Sequence, residues 1–508
     1  MLFSEPVFVF LFLPVVLFLY VVLPQRLRNL LLTGASLFFY ACGETKFVFI
    51  LIASIILNYY FAIWISQTSG PRQSLILALG IMSDLSLLLY FKYANFFITS
   101  LNQCLMLAHV HHPLSYRLIV LPLGISFFTF HKISYKVDVF RGHALAKRNP
   151  LELALYILFF PQLIAGPIVR YNEIADAIGV EARVLNYQRL CRGIEIFIIG
   201  LGKKMLLANT VALPADQIFT VPTHQLTPAL AWLGVACYTL QIYFDFAGYS
   251  DMAIGLACIF GFDFPTNFNY PYSADSVTDF WRRWHMSLSR WFRDYLYIPL
   301  GGNRVSLRRL YLNLLLVFLL CGLWHGAAWT FIVWGVYHGL FLVLERLFLG
   351  KLLIRLPRLV RHVYLLLVVM VGWVFFRAAS LPYALHYLLA MFGLSRPEHY
   401  WYYPSLYLDK QIMLAIIVGA IGSTPFIPFM QHRLRGHLAQ QQVEGIQPTA
   451  TLIAATPPIE TPTAETPVVY RFDQALALVR FSALLLSLLL SLLLVVAGTY
   501  NPFIYFRF

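Results

Sequence analysis

The chain has 508 residues, of which 60% are hydrophobic and only 12% charged, with a mean hydropathy of +0.71. A soluble domain is nearer half apolar and a quarter charged, so a soluble globular protein is excluded and a polytopic membrane protein is indicated. The formal net charge of +14 reads as topology rather than nucleic-acid binding, because basic loops mark the cytoplasmic face of a membrane protein.

Apolar segments near the roughly 20 residues that a bilayer core needs fall at about 7–23, 29–41, 47–66, 74–91, 117–131, 151–168, 194–212, 229–260, 363–378, 383–394, 411–429 and 475–499. Several are too short to cross unaided, so about ten or eleven crossings with some re-entrant pieces are expected. The first segment, MLFSEPVFVFLFLPVVLFLYVVLPQRLRN, has no basic start and no small-residue cleavage site, and it reads as a retained helix rather than a signal peptide. Arg26 and Arg28 follow it, which places the N-terminus outside. Cysteines 42, 104, 191, 237, 258 and 321 form no CxxC pair and lie mostly in apolar segments. They read as core residues, with no disulfide framework and no metal site. Residues 438–470, with QQQ and TPPIETPTAETP, have the composition of a disordered loop before the last span.

The run FWRRWHMSLSRWFRDYLYIPLGG from Phe280 to Gly302, with seven arginines between Arg282 and Arg309, concentrates ionisable groups in a chain otherwise poor in them. Such groups are costly in or near a bilayer and are functional candidates by default. Taken as one helix, Trp281–Ile298 places Trp281, Trp284, Leu288, Trp291 and Tyr295 on a stripe roughly 80° wide. Arg282, Arg283, Arg290 and Arg293 fall on the other side. That is an interfacial helix, its aromatic face in lipid or protein and its guanidinium face toward water or phosphate. The arginines suit either a membrane-surface anchor or contacts to phosphate, which guanidinium groups bind bidentately. His285 falls on the boundary of the two faces.

Residues 311–345 are apolar but interrupted by Gly322, His325 and Gly326. Arg304, Arg308 and Arg309 precede them, and Arg346, Lys351, Arg355, Arg358 and Arg361 follow. Basic flanks on both sides predict a segment that enters from the cytoplasm and returns. The 14 residues Tyr311–Trp324 would rise roughly 20 Å, carrying His325 past the midplane but not across. There a neutral imidazole can act as general base on an attacking hydroxyl, the alternative being a structural histidine bonded to a backbone carbonyl. Cys321, one turn earlier on the same face, is either a covalent acyl carrier or a small core residue. His338 is read as structural, on a face shared with Glu345.

These residues, together with FFPQLIAGPIVRY at 159–171, YFDFAGYSDMAIG at 243–255, NFNYPY at 267–272, GLWHGAAWTFIVWGVYHG at 322–339 and the ending NPFIYFRF, resemble the bacterial polysaccharide branch of the membrane-bound O-acyltransferases. The likeness covers nearly the whole chain except 438–470. It implies an all-α membrane fold in which transmembrane, re-entrant and interfacial helices surround a central funnel, as one membrane domain over 1–508. By position, His325 matches the histidine treated as catalytic in that superfamily, and His285 matches a second, cytoplasm-side histidine. The resemblance further implies an acyl donor on the cytoplasmic side, a coenzyme A thioester such as acetyl-CoA, with no bound cofactor. It implies O-acetylation of an exported polysaccharide, alginate foremost, an extracytoplasmic acetyltransferase partner, and residence in the bacterial inner membrane among its lipids. Cellulose, peptidoglycan and D-alanylated teichoic acid are the other polymers in view. A transporter is the remaining alternative, but it should show two similar halves and no internal repeat is present.

Overall fold

The computed structural model describes every residue except 111–113, 180–182, 184–185, 396–400, 435–466 and 505–508. Among the described residues there is no β-strand. The main helices in the first half are α1 (Phe8–Val22), α2 (Arg28–Ala41), α3 (Val48–Gln67), α4 (Pro71–Leu107), α5 (Ile125–Phe140), α6 (Pro150–Leu158), α7 (Tyr187–Ile218) and α8 (Pro228–Ile259). They are followed by α9 (Val277–Arg283), α10 (Met286–Phe292), α11 (Leu307–His325), α12 (Trp329–Ile354), α13 (Arg358–Arg377), α14 (Leu381–Met391), α15 (Lys410–Gly422), α16 (Phe426–Leu434) and α17 (Pro467–Val496). Eight of the described helices are long and apolar enough to cross a bilayer, or nine if α15 and α16, bent by 60°, form one broken span. The shorter apolar helices α1 and α14 coincide with two of the predicted segments, whereas α11 and α12, both long and apolar enough to cross, fall in 311–345, which the sequence reads as entering and returning without crossing. Of the 438–470 loop, 438–466 lie outside the described residues, and α17 already begins at Pro467.

The central helix is α8. Thr227 caps its start by accepting the Leu230 N–H, and Pro228 sits at the first position, where its missing donor costs nothing. It packs on α7 through two glycine pairs seven residues apart. A Cβ on Gly193 would lie 2.6 Å from the Gly255 carbonyl oxygen, and one on Gly200 2.6 Å from that of Gly248. No side chain fits there, so the two backbones touch, which is how membrane helices gain packing where lipid supplies no hydrophobic drive.

Hydropathy places a span at 117–131, whereas the helix is α5, running from Ile125 to Phe140 through Lys132, Lys136 and Asp138. Pro122 and Gly124 end the extended approach, with Gly124 at φ +74° and its α-carbon against the Leu163 carbonyl. The charges are tolerated because α4 supplies Asp84: its carboxylate pairs with Lys132 at 2.9 Å and with Lys136, and accepts from Asn58 of α3 at 2.8 Å. Buried charges persist only when partnered in this way. The 151–168 segment is likewise broken, into α6 and the short helix Phe160–Leu163, and Leu153, Leu155–Leu158 and Phe160–Leu163 are buried within protein, the setting in which irregular backbone is allowed at membrane depth.

Helices α11 and α12 form an antiparallel hairpin. Gly322 lies against Gly335, with each ideal Cβ 3.2 Å from the other's α-carbon, and Gly339 packs on Phe318 and Leu315. At 19 residues α11 is longer than the 14-residue apolar stretch predicts, because its first turn takes in Arg308 and Arg309. The Arg346 guanidinium donates to Asn303 at 3.3 Å, so both basic flanks lie at one end of the hairpin. Cysteines introduced beside Arg308 and Arg355 should therefore both react with an impermeant maleimide only after the cytoplasmic face is opened. Labelling from opposite sides would refute the shared sidedness.

Candidate active site

His325 is the last residue of α11, and extended backbone at Gly326 ends the helix. A side chain at 326 would collide with the Phe331 ring. The imidazole is buried, 7% exposed, and lines two spaces. One is a cavity of about 350 Å³ whose walls include Glu44, Lys92, Ser126 and Trp324. The other, of about 10 Å³, is bounded by Phe246, Trp284, Trp334, Trp373, Phe376 and Ile504. His325 is the residue common to both walls.

The expected single helix over Trp281–Ile298 is instead two, α9 and α10, broken at Trp284 and His285. The break comes from outside the helix. Residues 267–269 lie alongside it, with Asn269 N–H donating to the Arg283 carbonyl at 3.0 Å and Met286 N–H to that of Asn267 at 2.9 Å. His285 adopts φ +42°, a left-handed conformation that costs a non-glycine residue roughly 1–2 kcal/mol. Such strain persists where the surroundings over-determine it, and it collects at functional sites.

The turn aims the imidazole inward. Nδ1 lies 3.1 Å from Asn267 Oδ1, which also accepts from Ser287 N–H at 3.1 Å and Ser287 Oγ at 2.9 Å. An acceptor on Nδ1 puts the proton there and leaves the Nε2 lone pair open. Nε2 is buried with no hydrogen-bond partner among the described residues. Burial, with His325 adding in the same direction, holds the His285 pKa well below the usual histidine range, so this imidazole is neutral. The Trp324 ring lies near both imidazoles, with centroids 6.3 Å from that of His285 and 4.9 Å from that of His325.

The aromatic stripe packs in protein: Trp281, Trp284, Leu288 and Trp291 are all buried, and Trp291 stacks on Phe130 at 3.6 Å. The four arginines separate. Arg283 pairs with Asp279 at 2.9 Å and Arg293 with Asp294 at 2.7 Å. Arg282 is exposed and lines a cavity of about 550 Å³ with Arg346 and Arg361. Arg290 lies near Arg170, Glu173, Arg293 and Asp294, and its Nε and Nη2 are buried with no partner among the described residues. Arg170 bridges Glu173 and Asp294, while Arg141 donates to the Asp294 carbonyl at 3.1 Å.

Cys321 is buried and lines neither of the two spaces that His325 borders. The cysteines are free, and Cys42, Cys104 and Cys191 are exposed rather than core, since an apolar segment can turn a small residue outward as readily as inward. His338 is held among the rings of Trp281, Trp334 and Tyr337, at 5.2, 5.2 and 5.3 Å. It makes no hydrogen bond to Glu345. That carboxylate instead accepts from the N–H groups of Val277 and Thr278 at 2.7 and 2.9 Å, capping the positive end of α9.

Sequence reasoning missed Lys92, which sits one residue past the predicted 74–91 span and joins the His325 cavity wall. An isolated lysine among apolar residues was the available signal. It also missed the reach of the last described residues. Ile504 N–H donates to Asp245 at 2.9 Å, Asp245 pairs with Lys204 at 2.6 Å, and Lys204 also binds the Pro502 carbonyl.

Fold and site define a multi-pass helical membrane protein with a buried histidine, His325, on a cavity wall and a second buried histidine, His285, nearby. Residues 78–381 match the membrane-bound O-acyltransferase family. The chain belongs to that family and is an O-acyltransferase. It is 40% identical over 521 residues, 100% of both chains, to the protein named probable alginate O-acetylase in Azotobacter vinelandii. To the protein of the same name in Pseudomonas aeruginosa it is 39% identical over 533 residues, again 100% of both. It is also 40% identical to the peptidoglycan O-acetyltransferase of Helicobacter pylori, over 78% of this chain and 80% of that one.

Proposed function

We propose that this protein moves an acetyl group from a cytoplasmic coenzyme A thioester across the bacterial inner membrane for O-acetylation of an exported polysaccharide, alginate. The observation that carries the reading is that His325 lines two separate spaces inside the bundle. In this reading the larger cavity, walled by Glu44, Lys92, Ser126 and Trp324, receives the acceptor hydroxyl. His325 then serves as general base. It takes the proton of the attacking hydroxyl as a C–O bond forms at the acyl carbon, the C–S bond breaks, and the thiolate leaves to be protonated. His285, with Nε2 open, is assigned to positioning the donor. The immediate acceptor is a hydroxyl on an extracytoplasmic acetyltransferase partner or on the polymer itself.

Expression in an alginate-producing host lacking its own membrane O-acetylase tests this reading. Acetyl ester signals should return to the secreted polymer in its NMR spectrum. Acetylated muropeptides with unacetylated alginate would favour the peptidoglycan reading, which the Helicobacter relative supports.

The arginines are assigned to donor phosphates. Arg290 is the strongest of the four, because its buried nitrogens have no partner among the described residues while Arg283 and Arg293 are spent on carboxylates. Arg290→Lys keeps the charge but loses the planar fork, and it should lower acetylation about tenfold at unchanged abundance, the loss of one charge-assisted hydrogen bond. Normal acetylation with reduced membrane insertion would favour the anchor role.

A further inference from the structure

Helix α11 ends inside the protein, so the carbonyls of its last turn must find donors there. The account closes. Gly326 N–H takes the Gly322 carbonyl at 3.2 Å. The Tyr93 hydroxyl donates to the Leu323 carbonyl at 2.7 Å. The Lys92 ammonium donates to the Trp324 carbonyl and, at 3.1 Å, to that of His325. Its third proton goes to Ser126 Oγ at 3.3 Å. A cation at this end also suits the negative pole of the helix.

The local backbone is built for this contact. Lys92 and Tyr93 close a π-helical turn, Leu89–Tyr93, within α4. Both are buried, whereas Leu89 and Tyr90 are 53% and 57% exposed. The wider turn swings two polar side chains off an otherwise outward-facing stretch and onto the break in α11, 232 residues away in sequence for Lys92 and Trp324. Single π-turns within α-helices are frequently found at functional sites.

We propose that Lys92 is a positioning residue for the transfer. By gripping the carbonyls of Trp324 and His325, it sets where α11 ends and therefore where the His325 imidazole stands in the cavity that Lys92 itself lines. All three ammonium protons are given to protein acceptors, so Lys92 acts through His325 rather than on the substrate. The proposal rests on the reading of His325 as the base.

Three variants in the full-length protein test it: Lys92→Met removes the donors, Lys92→Gln keeps two donors without charge, and Tyr93→Phe frees only the carbonyl two residues before His325. Two quantities are read, polymer acetylation per inserted protein and the rate at which diethyl pyrocarbonate modifies His325, followed by peptide mass spectrometry. Lys92→Met should lose about tenfold or more in acetylation, Lys92→Gln an intermediate amount, and Tyr93→Phe about twofold or less. The His325 modification rate should change in the same order without any substrate present. If Lys92→Met is not inserted, Lys92→Gln decides by the same readings. Wild-type acetylation in the inserted Lys92 variants, or lost acetylation with an unchanged His325 modification rate, overturns the proposal. Retained activity in His325→Ala would instead overturn the base assignment, and the modification rate would still report whether Lys92 sets the imidazole.

Discussion

His325→Ala should lower polymer O-acetylation by ~10²–10⁴-fold while leaving the protein in the membrane at near-normal abundance. The size follows from the role: a positioned base acts in the transition state and contributes little to folding. The structure argues that the variant will insert. The hairpin is held by backbone contact at Gly322 and Gly335 and by the Lys92 and Tyr93 caps, all of which survive loss of the imidazole. Acetyl content of the secreted polymer, set against immunoblots of the membrane fraction, measures both. An inserted His325→Ala protein with wild-type acetylation would remove the base assignment. Cys321→Ala serves as the matched control. Cys321 lines neither space that His325 borders, so its loss should cost about twofold or less, as for an ordinary small core residue. An inactive Cys321→Ala protein, with an acyl adduct on Cys321 of the parent, would put the covalent route first.

His285→Ala should be nearly as severe, by about 10²-fold, and Asn267→Ala should follow it at about tenfold. Asn267 fixes the tautomer: its Oδ1 accepts from Nδ1 and so directs the open lone pair of Nε2 into the bundle. Removing that acceptor frees the ring to exchange tautomers and rotate, which weakens its use without deleting it. Asn267→Asp keeps the acceptor and should recover part of the loss. If Asn267→Ala is inserted and fully active while His285→Ala is not, the orientation argument fails and His285 acts without its anchor.

Composition, charge distribution and glycine breaks were enough to determine the class of this protein, most of its membrane helices, and the break at which α11 turns back on α12. These properties are local. A bilayer imposes a length of apolar chain, and a helix ends where its own residues stop supporting it. The same locality explains the errors. Periodicity joined Trp281–Ile298 into one helix because the pairing partner that breaks it, residues 267–269, lies in another segment. Hydropathy stopped a span at 131 because the carboxylate that neutralises Lys132 and Lys136 comes from α4. It could not show that Arg290 keeps buried nitrogens with no partner among the described residues, or that Lys92 reaches Trp324 and His325. Tertiary structure alone decided these matters, because a charge or an orphan carbonyl at membrane depth must be matched within the protein, and the matching group can come from anywhere in the chain.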